Sequence, residues 1–279
     1  MEQYRVYSRK RNFFIGLSLT NQLILLNIGM FLISFLIISV YGSTFFTDNF
    51  ALTPAYILSG QKLWTLITSM FVHASFFHIF ANMFSFFFIG NLLEKLIGRK
   101  RFIKVYFVSG LVGGLAFVLA GLLFNNLNVP AVGASGAIFG LLGVLAVLVP
   151  YSKIYLIVGP LVLLFFDVVL ESFIPANLLT IFTMAINVLI FIMIFSLFSF
   201  NSSLRRIAIP VELPMWLLPI VAIVPLSIIS LLSSIYPSIP TLPIGNSAHF
   251  GGLIVGLVYA VYLRNKFPKK TNAIRKHFK

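Results

Sequence analysis

Long apolar runs, with nearly all of the charge gathered into short stretches between them, constrain this chain more than any other property. Runs near the ~20 residues that a helix needs to cross a bilayer fall at 19–42, 76–94, 103–124, 133–150, 154–172, 177–200, 214–235 and 247–264. The 279 residues are 59% hydrophobic and 9% charged, with mean hydropathy +1.04, whereas a soluble domain carries about 25% charged residues. The expected architecture is an all-α polytopic membrane protein of eight transmembrane helices. A basic N-terminus (1–18) and a basic tail (265–279) flank one transmembrane domain (19–264).

Orientation follows from the distribution of positive charge, because Lys and Arg collect on the inner side of a membrane. With the N-terminus inside, the inner stretches hold Arg5, Arg9, Lys10 and Arg11, then Lys95, Arg99, Lys100, Arg101 and Lys104. Lys153, Arg205, Arg206 and seven residues from Arg264 to Lys279 follow on the same side. Only Lys62 lies outside, so 19 of the 20 Lys and Arg obey one topology with both termini inside. This segregation reads the +14 net charge as membrane orientation, with anionic lipid headgroups nearby, and not as a nucleic-acid footprint. The first run is too long for a signal-peptide core and lacks an A-x-A-like cleavage site, so it is expected to be retained. With no cysteine, the chain has no disulfide, thiolate metal site or thiol nucleophile. The weakest span is 154–172, where Asp167 and Glu171 approach the outer end.

The one long outer loop, from Tyr41 to about Phe71, contains Phe45, Phe46, Phe50, Tyr56 and Trp64, a composition suited to the membrane interface. Polar side chains at membrane depth are costly and usually functional, which singles out His73, His78 and His249. Gly133-Ala-Ser-Gly136 opens the fourth span near its outer end. Alone, it reads as a small-residue packing patch. A serine there also lies among the unpaired N–H groups and partial positive charge of a helix N-terminus. His249, in Asn246-Ser-Ala-His-Phe-Gly-Gly, starts the last span at the same outer side. Three intervening spans make the two helices parallel, and Gly136/Gly140 and Gly252/Gly256 supply small faces at spacing four that let backbones approach. Packing those faces brings Ser135 and His249 together, the minimum for an activated nucleophile. His78 and Asn82, four apart, share a helix face and are candidate donors to a developing oxyanion. His73 is expected to point elsewhere, toward the outer-loop backbone, as a brace. No H-E-x-x-H occurs and no carboxylate accompanies these histidines, so no metal or cofactor is expected.

At these residues the chain resembles the rhomboid intramembrane serine proteases. The resemblance runs from Trp64 through Phe80 with His73, His78 and Asn82, from Gly90 through Gly98 with Glu94, and through Gly133-Ala-Ser-Gly136. It ends on Ala248-His249 with Gly252 and Gly256. It implies a Ser135 nucleophile and a His249 general base, without an acid. It also implies an oxyanion hole from Asn82, His78 and the Ser135 N–H, Glu94 as a helix-end brace, and Gly252/Gly256 as a close-packing seam. The implied activity is hydrolysis of peptide bonds in or near transmembrane segments of other membrane proteins. Nothing in the sequence resembles a cleavable transit peptide, so a prokaryotic plasma membrane is the expected setting.

Two departures stand out. Thr65 follows Trp64 where the family often has arginine, a change expected to loosen the loop and leave the chemistry alone. The serine and histidine are separated by 113 residues, room for two spans beyond the family's usual one. Of these, 214–235 is the expected gating helix, because it connects directly to His249 through the proline-rich Tyr236–Pro243. The rival readings are a catalytically silent rhomboid-like scaffold, which would be expected to lack the serine or histidine, and a transporter using the histidines as a proton relay. No internal repeat supports the latter.

Overall fold

A computed structural model describes residues 16–171, 173–235 and 245–278. The basic Arg5–Arg11 cluster and the proline-rich Tyr236–Pro243 lie outside the described residues. Two compact units emerge: Met1–Val144 with Ser247–Ala260, and Leu145–Asn246 with Val261–Lys279.

The first unit begins with α1 (Leu19–Phe50), whose N-terminus is capped by Ser18 Oγ. The apolar run predicted to end at 42 breaks there. Gly42 takes φ 86° and helix resumes to Phe50, a conformation open to glycine because it has no Cβ. Helices α2 (Phe76–Ile97) and α3 (Arg99–Leu123) turn about Gly98 at φ 83°. Glu94 of α2 reaches the first turn of α1, where its carboxylate accepts from Leu19 N, Thr20 N and Thr20 Oγ1, each at 2.9 Å. A negative side chain on orphan N–H groups is the favoured partner for a helix start. Phe86 stacks on Tyr106 at 5.1 Å between ring centres, with Phe102 behind it, all three fully buried.

Helix α4 (Ser135–Leu148) has 14 residues, about 21 Å at ~1.5 Å per residue. That is shorter than the predicted 133–150 and short of the ~30 Å apolar layer, so its two ends cannot both reach a membrane surface.

The chain is mostly helical, as expected of an all-α polytopic membrane protein, and the second unit adds one strand pair to it. Lys153-Ile-Tyr-Leu-Ile157 forms strand β1, and Pro210-Val-Glu-Leu-Pro214 forms β2, paired antiparallel with Lys153 opposite Pro214 and Ile157 opposite Pro210. The predicted 154–172 span is therefore a strand followed by the 14-residue α5 (Val158–Glu171). The β-branched and aromatic side chains of this stretch suit a pleated strand. α6 (Ala176–Ser196) buries only Ile190 and Ile194. α7 (Leu218–Ile235) carries Pro225 in its interior, and α8 (Asn246–Lys266) begins in this unit and runs on into the first. The basic α9 (Pro268–His277) follows. Among the described residues, five of the eight predicted spans match helices long and apolar enough to cross a membrane: α1, α2, α3, α6 and α8.

Candidate active site

Glycine packing creates the site. Within the first unit, a methyl group on Gly252 would strike the Gly136 carbonyl oxygen, and one on Gly256 the Gly140 carbonyl. Both obstacles are backbone, so α4 and α8 hold this contact only with glycine at those positions. Gly113 of α3 meets the same seam, where an added Cβ would lie 2.7 Å from the Ala248 carbonyl oxygen. The seam anticipated from spacing four is thus a three-helix contact. At its mouth, His249 Nε2 and Ser135 Oγ are 2.8 Å apart.

The surroundings hold both partners in place. The His249 ring stacks on Phe139 at 4.4 Å and 21°, and His249 is 8% exposed. Phe139, one helical turn beyond Ser135 and so on the same face, was not singled out from sequence, although its i+4 spacing is a usable signal. For Nε2 to accept the serine proton, Nδ1 must carry the ring hydrogen, and Nδ1 has no hydrogen-bond partner among the described residues. Stacking and helix position therefore orient the imidazole in place of an acid. Ahead of the serine, Gly133 takes φ 125° and donates its N–H to the Ser69 carbonyl at 2.8 Å, which sets the turn from which α4 starts.

His78 and Asn82 stand on one face, as anticipated, and Asn82 Nδ2 donates to the His78 carbonyl at 2.9 Å. Ser75 caps α2 through the His78 N–H. Ala74 N–H donates to His78 Nδ1 at 3.4 Å, so the neutral ring carries its proton on Nε2. That nitrogen borders the Gly133 turn, 2.8 Å from where a Cβ on Gly133 would lie. His73 meets the outer-loop backbone at Phe71, as expected, but it does not point away from His78. It packs edge-on against His78, with ring centres 5.0 Å apart, because it lies in a loop where helical spacing does not govern direction. Burial holds its imidazole far below the ordinary value, at about 3, with His78 pushing the same way and the Phe71 carbonyl opposing. Thr65 does not leave the loop untethered. It is buried and bonds the Lys62 carbonyl at 2.8 Å, while Trp64 Nε1 donates to the Asn49 carbonyl at 2.8 Å. An isolated bridge between Leu52 and Ala131 ties the loop to the segment before Gly133.

A mostly helical chain with five membrane-length helices among the described residues, and a serine bonded to a histidine across a glycine seam, defines a class: polytopic membrane proteins with a polar pair at depth. A sequence model of the Rhomboid domain matches residues 60–198 and 182–266, and this chain belongs to that family. It is 42% identical over 93 residues to RHOMBOID-like protein 1 of Arabidopsis thaliana, covering 33% of this chain and 23% of that protein. It is 40% identical over 91 residues to Rhomboid-like protease 1 of Toxoplasma gondii (33% and 29%). It is also 34% identical over 87 residues to Inactive RHOMBOID-like protein 8 of Arabidopsis thaliana (31% and 23%). The matched stretches span under a third of each of these relatives. The family supports intramembrane proteolysis, yet it holds a protein named protease and one named inactive, so membership alone does not decide activity.

Proposed function

We propose that this protein is an intramembrane serine endopeptidase acting on transmembrane segments of other membrane proteins through a Ser135–His249 dyad. The observation that carries this reading is the 2.8 Å approach of His249 Nε2 to Ser135 Oγ at a helix N-terminus. His249 takes the hydroxyl proton as Oγ attacks the scissile carbonyl. The oxyanion accepts from the Ser135 backbone N–H, from His78 Nε2–H and from the Asn82 amide hydrogen not given to the His78 carbonyl. His249 returns the proton to the leaving nitrogen, and water hydrolyses the acyl ester by the same route. The substrate must expose a carbonyl at membrane depth. Helix-breaking residues near its outer end ease this, since intact helical carbonyls are already bonded. Both termini face inward in this reading, supported by the side on which 19 of 20 Lys and Arg fall, and the setting is a prokaryotic plasma membrane. Glu94 braces the start of α1, and α7 is the gating helix.

The test is purified protein in micelles with a transmembrane substrate, wild type beside Ser135→Ala. Cleavage and fluorophosphonate labelling of Ser135 are expected in wild type, with a loss of about 10⁴-fold or more in the variant. Cleavage surviving in Ser135→Ala refutes the assignment. Substrate capture without cleavage by wild type would make the protein a silent scaffold.

A further inference from the structure

Seven of the cations fall between Arg264 and Lys279, and no Asp or Glu occurs after Glu212, so the tail holds no acid of its own to neutralise it. α8 is long and apolar enough to cross a membrane, and its last turns carry Tyr259 and Tyr262, then Arg264 and Lys266. Tyrosine followed by Lys or Arg marks the level of the lipid headgroups. There the helix breaks: Phe267 takes φ −131° and ψ 55°, and Pro268 restarts the chain as α9. Proline suits a first helical position, having no N–H to leave unpaired. Chain connection therefore starts α9 at the headgroup level.

The two faces of α9 differ. Thr271 and Ile274, with Phe278 just past the helix end, are spaced i, i+3 and i+7 and are buried or half-buried. Thr271 Oγ1 donates back to the Phe267 carbonyl at 3.1 Å. On the other side Lys269, Ala273 and Lys276, spaced i, i+4 and i+7, are exposed, and so is Lys270 beside them. A lysine face in open solution is ordinary. Here Lys269 and Lys270 lie within the first turn, about 5 Å along the helix, inside the ~8 Å over which physiological salt leaves charges unscreened.

We infer that the Lys269, Lys270 and Lys276 face of α9 binds anionic phospholipid headgroups of the leaflet where α8 ends. Each ammonium brings three rotatable donors to phosphate oxygens, and a headgroup with net negative charge attracts the face where a zwitterionic one does not. The contact is independent of the chemistry at Ser135, so loss of either leaves the other standing.

The experiment uses the full chain in nanodiscs of phosphatidylcholine alone or mixed with phosphatidylglycerol. Because the chain has no cysteine, Ala273→Cys provides a single thiol for a nitroxide at the centre of the basic face. In the mixed lipid the label is expected to be immobilised and protected from an aqueous nickel chelate, and in phosphatidylcholine alone to be mobile and exposed. Salt at about 1 M releases it. Each lysine is expected to contribute about 5-fold to the ratio of protected to exposed label, so K269Q/K270Q/K276Q lowers that ratio about 10²-fold. K269R/K270R/K276R, which keeps the charge, retains the protection. Should the glutamine triple not fold, the comparison of the two lipids with the lysines intact carries the test alone. Equal exposure in the two lipids, or protection that persists in the glutamine triple, overturns the inference. Protection by added polyglutamate but not by phosphatidylglycerol overturns it in favour of an acidic protein partner.

Discussion

In the unit formed by Met1–Val144 and Ser247–Ala260, helices meet backbone to backbone at Gly136, Gly140, Gly252 and Gly256, and the polar groups at depth have defined neighbours. In the other unit, α6 buries only two side chains, and a five-residue strand pair joins the two ends of the α5–α6 segment. In the first arrangement a backbone carbonyl opposite each of Gly252 and Gly256 leaves no room for a side chain, so backbone contact sets the helix spacing. The second fixes only where a segment begins and ends. Chemistry that depends on a 2.8 Å approach belongs with the first.

The sharpest way to break this contrast is to place volume on each kind of surface. Gly252→Val puts a side chain against the Gly136 carbonyl and is expected to destabilise the fold by about 3 kcal/mol and to abolish cleavage. Gly29→Ala on α1, where nothing lies within 4 Å, is expected to leave the rate unchanged and the thermal midpoint unchanged or raised. Equal losses in the two variants would mean that the seam is not special.

Asn82→Ala probes the polar lining of the same unit and is expected to lower kcat by about 10²-fold with little change in thermal midpoint. A KM effect alone would remove Asn82 from the oxyanion site.

His73 gives a smaller, pH-dependent signature. Its folded value of about 3 lies below the ordinary 6.5, so between these values the unfolded chain binds the additional proton. Its contribution to stability is full above the higher value. It declines as pH falls toward the lower one, by up to about 1.4 kcal/mol per pH unit. His73→Phe is expected to remove that share of the slope in thermal unfolding measured from pH 7 to 4; an unaltered slope would contradict the buried neutral ring.

Least of all should follow from Glu212→Gln in the second unit. It removes the negative charge from an exposed pair with Lys153 at 3.0 Å but leaves the ladder's backbone hydrogen bonds, and exposed ion pairs contribute little. No shift in thermal midpoint is expected, and a drop of several degrees would show that charge holds the strands.

The contrast also explains what could be read from the chain. Ser135 and His249 were legible because helix direction, charge segregation and glycine spacing are one-dimensional signals that converge on one pair. Glu94 was legible only through resemblance, since its partners Leu19 and Thr20 are more than seventy residues away. The β1–β2 ladder escaped because Lys153-Ile-Tyr-Leu-Ile157 continues into the apolar α5, and an unbroken apolar run does not reveal where its period changes. Its partner strand begins and ends on proline, at Pro210 and Pro214, which a helix-centred reading treats as a boundary. The ring contact between His73 and His78 was missed by applying helical geometry to a loop, and the bend at Gly42 fell where apolar composition changes little.

The ladder has a consequence for how such a chain can change. Ile157 and Pro210 face each other, about 5 Å apart as paired strands are, so everything from 158 to 209 leaves and re-enters through a single doorway. The width of that doorway does not depend on how much polypeptide lies beyond it. The excursion can therefore lengthen, shorten or be exchanged over generations while the coordinates of its two ends stay constant, which makes it a port for new sequence rather than a strut.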